Sequence, residues 1–244
     1  MSEFWYTPAT MREVNGNSYQ AFRMFGPVYC FWLVLLLAAC IIGKIFFPKM
    51  SEAKRHKVYV VLTVLMLIDE IAKYVMTILT NQFEWQLLPF HLCSINIFVC
   101  LWHTLKPTET SKEVLYSICI PAALVALLSP NWICLPLWNF MHIHSALMHV
   151  LLILYPVLIL VEGYRPKPKN IPKVMLFLVC AAGVAFLINK ALGTNFFFLS
   201  GHNNNPALML ISSIFGKFYL VGLIVLVLIV LILMYLPWFF VKKA

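Results

Sequence analysis

Long apolar runs recur through the chain. The stretch 28–47 carries a single charge, Lys44, and comparable runs return at 87–105, 140–161, 172–188 and 218–240. About 18–20 apolar residues suffice to cross the hydrocarbon core of a bilayer as a helix. In lipid, a lone segment satisfies its own backbone N–H and C=O groups only as a helix. Composition agrees: 62% of residues are hydrophobic and 11% charged, where a soluble domain carries about 25% charged residues. An all-α polytopic membrane protein is therefore expected.

Two weaker runs, 58–79 and 114–128, bring the expected number of transmembrane helices to seven. The run 114–128 contains Pro121. The run 140–161 contains Pro156, which predicts a kink, because proline has no N–H for the carbonyl one turn back. Residues 1–27 form a polar, aromatic lead expected to lie along the membrane interface, and 28–244 form one transmembrane domain. Seven spans put the termini on opposite sides. One side collects Arg12, Arg23, Lys190 and Lys217. The other collects Lys44, Lys49, Lys54, Arg55, Lys57, Lys106, Lys112, Arg165, Lys167, Lys169, Lys173, Lys242 and Lys243. Loops rich in lysine and arginine stay in the cytoplasm, so the N-terminus is expected outside and the C-terminus in the cytoplasm. This asymmetry accounts for the net charge of +9. No nucleic-acid-binding motif accompanies it, and no nucleic-acid partner is expected.

Polar residues out of place in apolar surroundings gather toward the outer side. Leu88-Pro89-Phe90-His91-Leu92-Cys93-Ser94-Ile95-Asn96 opens the third run. Pro89 suits a first helical position, where its missing N–H costs nothing. A thiol in the first turn or two feels the positive end of the helix dipole, which favours the thiolate. His91 and Cys93 lie about 200° apart around a helix and point roughly opposite ways. Cys93, Asn96 and Cys100 share a face. In the fifth run His142, Ser145 and His149 share a face, and His144 does not. A Cys93–His149 pair between two helices is open on this reading, and thiolate with imidazole is the pairing that attacks an acyl carbonyl and protonates the leaving alcohol. Core thiols and histidines bonded to neighbouring helices are the structural alternative.

The second run holds Asp69, Glu70 and Lys73 at membrane depth, where ionisable residues are costly and face the bundle interior. Lys73 stands four residues from Asp69 and three from Glu70, within reach of both. A head-group site, a proton relay or a histidine orienter fits them, as does a buried pair that locks helices. Gly193-Thr194-Asn195-Phe196-Phe197-Phe198-Leu199-Ser200 suits an interfacial lid or an aromatic anchor, with Asn195 placed to hold a histidine or donate to an oxyanion. The seven cysteines, Cys30, Cys40, Cys93, Cys100, Cys119, Cys134 and Cys180, include no CxxC pair. The histidines of the fifth run are never four apart and the last run has none. No metal and no cofactor are expected.

Taken together, these segments resemble a known family. Leu88-Pro89-Phe90-His91-Leu92-Cys93 is similar to the signature of YwaF-like bacterial integral membrane proteins, which are related to eukaryotic transmembrane protein 164. His149 with Pro156 and Gly163-Tyr164-Arg165-Pro166 resembles the family's fifth helix and following loop. Gly193-Thr194-Asn195-Phe196-Phe197-Phe198-Leu199 and Pro206 resemble a third segment. Phe196 stands where the family has tyrosine, and Val150 where glycine follows the histidine. The resemblance implies a multi-pass protein of a bacterial-type plasma membrane, acting as a phospholipid acyltransferase or acyl hydrolase. Cys93 would be the nucleophile, His149 the base with His91 its rival, and Asn96 and Asn195 orienting or stabilising groups. The implied partners are the bilayer and a membrane phospholipid or lysophospholipid. From another class, a transporter or small-molecule sensor would use Asp69, Glu70 and Lys73 as its coupling site.

Overall fold

The computed structural model describes residues 2–202 and 205–240. Lys242 and Lys243 of the charge count lie outside the described residues. Every regular element described is helical. In chain order the helices are α1 (Pro8–Asn15), α2 (Pro27–Phe46), α3 (Glu52–Leu79), α4 (Leu92–Leu105), α5 (Glu109–Val114), α6 (Ile120–Leu128), α7 (Phe140–Val161), α8 (Ile171–Leu192), α9 (Pro206–Phe215) and α10 (Tyr219–Phe240). Among the described residues, six helical stretches are long and apolar enough to cross a membrane: Pro27–Lys49, Trp85–Leu105, Glu109–Leu128, Phe140–Val161, Pro168–Leu192 and Leu208–Phe240. α3 is long enough, at 28 residues, and carries Asp69, Glu70 and Lys73 within its length.

α7 is the centre of the bundle. Of its apolar stretch 61% is buried, against 11% for α2 and for α8, and it packs on α2, α3, α4 and α6. Outer helices show their apolar faces outward, as lipid-facing helices do: Leu37, Ile71, Leu187 and Ile232 are all exposed.

The helix-breaking residues are absorbed locally. Pro156 lies inside α7 and frees the carbonyl four residues back. That carbonyl, on Leu152, accepts the Cys119 thiol at 3.2 Å. Pro121 follows a π-helical turn at Leu115–Cys119, where the Ile120 N–H reaches back to the Leu115 carbonyl. The short fourth run is thus one end of a longer helical rod that begins at Glu109.

The third run differs from expectation at its start. A 3-10 turn at Trp85–Leu87 and an irregular link precede α4, which begins only at Leu92, with His91 as its N-cap. Pro89 is therefore outside the helix. α4 starts inside the bundle. Its second residue, Cys93, meets the tenth residue of α7, His149, about 14 Å along that helix at 1.5 Å per residue.

The N-terminal lead closes one end of the bundle. α1 buries Met11 completely. The Asn139 side chain donates to the carbonyls of Glu3 and Tyr6 at 2.7 and 2.9 Å. The Gln82 amide donates to the Trp5 carbonyl and its oxygen accepts from the Thr7 N–H. This segment packs as a cap on the helix ends.

Candidate active site

Cys93 Sγ lies 3.2 Å from His149 Nε2. The other ring nitrogen, Nδ1, lies 2.5 Å from the Ser145 carbonyl one turn back in α7. A carbonyl only accepts, so Nδ1 carries the proton, and Nε2 presents a lone pair to the thiol. The Trp132 ring stacks on the His149 ring, with centroids 5.3 Å apart and planes 18° apart. The imidazole is thus held on a second side. Ser145 contributes its backbone; its side chain takes no part in this contact.

Asn96 stands one turn below Cys93 on the same face of α4. It is fully buried. Among the described residues neither Nδ2 nor Oδ1 has a hydrogen-bond partner. No side chain caps the N-terminus of α4 either, where the first N–H groups of any helix lack an intrahelical acceptor.

His91 faces elsewhere. Its Nε2 lies 3.0 Å from Gln86 Nε2 and 3.1 Å from the Gln86 carbonyl, and its ring meets the edge of Phe196 at 4.9 Å. Gln86 Oε1 accepts from the Asn195 N–H. Asn195 Oδ1 accepts from the Ser200 N–H, and Asn195 Nδ2 donates to the Gly201 carbonyl. Asn195 therefore shapes its own loop and docks it on Gln86. That loop is strained: Phe197 and Phe198 both have φ of 57°, a left-handed conformation that bulky residues rarely adopt.

His142 is spent on packing. Its Nε2 accepts from Trp32 Nε1–H at 2.9 Å and its Nδ1–H donates to the Leu135 carbonyl. His144 turns to α3 instead, with Nδ1 2.8 Å from Asp69 Oδ2 and Nε2 3.9 Å from Glu70 Oε2. Lys73 pairs with Glu70 at 2.6 Å, and the Tyr74 hydroxyl donates to the same oxygen at 2.9 Å. The reach of Lys73 was open to both carboxylates; it closes on Glu70, and Asp69 takes the histidine. No group of three or more metal-ligating side chains is assembled among the described residues.

Beside Trp132, the residues Phe22, Tyr29, Trp32, Leu127 and Ala146 line an apolar cleft between α2, α6 and α7. Three partners in this region had no signal in the sequence. Trp132 sits in a loop, Gln86 sits in an isolated 3-10 turn, and Tyr74 reads as an ordinary interfacial aromatic.

The profile of the TMEM164 family matches residues 24–235. No curated protein and no solved structure matches the chain.

Proposed function

Because the chain belongs to the TMEM164 family over most of its length, we propose that it is a membrane-embedded lipid acyltransferase, with Cys93 as nucleophile and His149 as the base that activates it. The observation that carries this reading is the 3.2 Å contact from Cys93 Sγ to a histidine nitrogen, whose tautomer is set by the Ser145 carbonyl.

The chemistry runs in two halves. His149 Nε2 takes the thiol proton as Sγ attacks the ester carbonyl carbon of a phospholipid. The carbonyl π pair moves to oxygen. When it returns, the bond between the acyl carbon and the glycerol oxygen breaks, and the leaving alkoxide takes the proton from His149. Cys93 is left as a thioester, and lysophospholipid departs. A lysophospholipid hydroxyl then gives its proton to His149, attacks the thioester carbonyl and restores the thiol. Water in place of that hydroxyl makes the same site a hydrolase.

In this reading α3 is the seventh span, its charges turned into the bundle. The charge asymmetry of the loops supports an external N-terminus and an active site reached from the outer leaflet. A transporter using Asp69, Glu70 and Lys73 has less support. Lys73 closes on Glu70 and Asp69 on His144, and fully buried Met66 separates Glu70 from the next polar residue of that face, Thr63.

Intact mass of the purified chain after incubation with mixed phospholipids tests the proposal. A fatty-acyl addition is expected on the wild type and not on Cys93→Ser. No adduct on the wild type, with no lysolipid released, would overturn it.

A further inference from the structure

Asn96 is an anomaly. A primary amide offers two N–H donors and a carbonyl acceptor. Burying one without partners costs free energy that an apolar side chain of the same size would not. Asn96 is 0% exposed, and both polar atoms are unpartnered among the described residues. Elsewhere in the bundle, buried amides are used. Asn139 caps α7 and ties down the N-terminal lead. Asn189 bonds Phe196 through both its oxygen and its nitrogen. Asn170 donates to Glu113.

The position of Asn96 explains the exception. It lies three residues after Cys93, on the same face of α4. Helical side chains lean toward the N-terminus and cover the turn before their own Cα. The amide therefore leans toward the turn that holds the thiol. In that turn the backbone N–H groups of a helix start also lack intrahelical acceptors, and no side chain caps them. Two kinds of unengaged donor thus lie within one helical turn of the residue that attacks.

We propose that the Asn96 amide and the uncapped first turn of α4 together form the binding site for the acyl carbonyl oxygen. The ligand class is an ester or thioester carbonyl, and the site is filled most tightly when that oxygen carries negative charge. This rests on the acyl-transfer reading above and adds an element to it. As Sγ bonds to the carbonyl carbon, the displaced π pair resides on an oxygen that accepts from Asn96 Nδ2–H and a first-turn N–H. When the pair returns, the leaving alkoxide departs with the proton from His149, and the thioester oxygen stays in the same site. The donors are in place before the reaction, so no reorganisation accompanies the developing charge.

The test compares two reactions of Cys93 on the full chain in detergent, with peptide mass spectrometry locating the modification. p-Nitrophenyl butyrate acylates through an oxyanion. Iodoacetamide alkylates by direct displacement and forms none. Asn96→Leu removes the donors at similar volume, and Asn96→Ala guards against a clash. Both are expected to slow acylation about 10²–10³-fold and to leave the alkylation rate unchanged. The unfolding temperature of Asn96→Leu is expected to hold or rise, since an unpartnered buried amide is removed. Equal slowing of both reactions, a fall in unfolding temperature for both variants, or acylation at the wild-type rate overturns the inference and leaves the Cys–His reading standing. A wild-type chain that is alkylated at Cys93 but acylated by neither the butyrate ester nor phospholipid overturns acyl transfer and this inference together.

Discussion

Glu113 and Asn96 are both fully buried in the bundle, and they differ in what meets them. Glu113 accepts from the Lys167 N–H at 2.8 Å and Asn170 Nδ2 at 3.0 Å on one oxygen, and from the Tyr235 hydroxyl at 2.5 Å on the other. Those donors come from the α7–α8 link, the start of α8 and α10. The carboxylate thus ties the α7–α8 link and α10 to α5. Asn96, at the other end, binds nothing among the described residues. The same contrast holds among the histidines. His142 has both ring nitrogens engaged by the scaffold. His149 has one engaged and turns the other to a thiol. Satisfied polar groups hold a fold together, whereas unsatisfied ones require an explanation outside it. The difference separates scaffold from site without reference to residue type.

The sharpest way to break this comparison is to exchange the histidines. His149→Ala is expected to lower Cys93 acylation about 10²–10⁴-fold, whereas His91→Asn leaves the rate near wild type. Intact-mass kinetics decide, and the reverse order would make His91 the base. On the scaffold side, Glu113→Ala strands three donors at about 1–3 kcal/mol each before relaxation. A loss of roughly 3–5 kcal/mol is expected in detergent unfolding, with acylation per folded molecule unchanged. Lys73→Met leaves Glu70 as a buried, uncompensated charge and is expected to cost about 3–5 kcal/mol. Glu70→Leu combined with Lys73→Met recovers most of it. Full activity in that double variant would make the pair purely structural, and lost activity in a stable protein would attach it to the site. The smallest effect is expected from His142→Phe. It strands Trp32 Nε1–H and the Leu135 carbonyl for about 1–3 kcal/mol, read as a lower unfolding temperature with an unchanged acylation rate.

The helices were legible in the sequence because bilayer thickness and backbone hydrogen bonding leave an apolar run few alternatives. The run 140–161 coincides with α7, residue for residue. The start of α4 was not legible. Pro89 permits a first helical position, but Gln86 and Phe196 hold His91 in the link before the helix, and both contacts come from packing. The extent of the fourth helical rod was also hidden. Its polar first turns, Glu109 to Glu113, look like loop residues until Lys167, Asn170 and Tyr235 cover them.

Composition and periodicity alone determined a helical membrane chain and the faces on which Cys93 with Asn96, and His142 with His149, are aligned. These follow from a fixed rise and rotation per residue. Only the tertiary structure decided which histidine meets the thiol. His91, His142, His144 and His149 have the same chemistry in one dimension. Their partners are chosen by how α2, α3, α4 and α7 cross, because a hydrogen bond is made or lost over a few tenths of an ångström that no intrahelical spacing encodes.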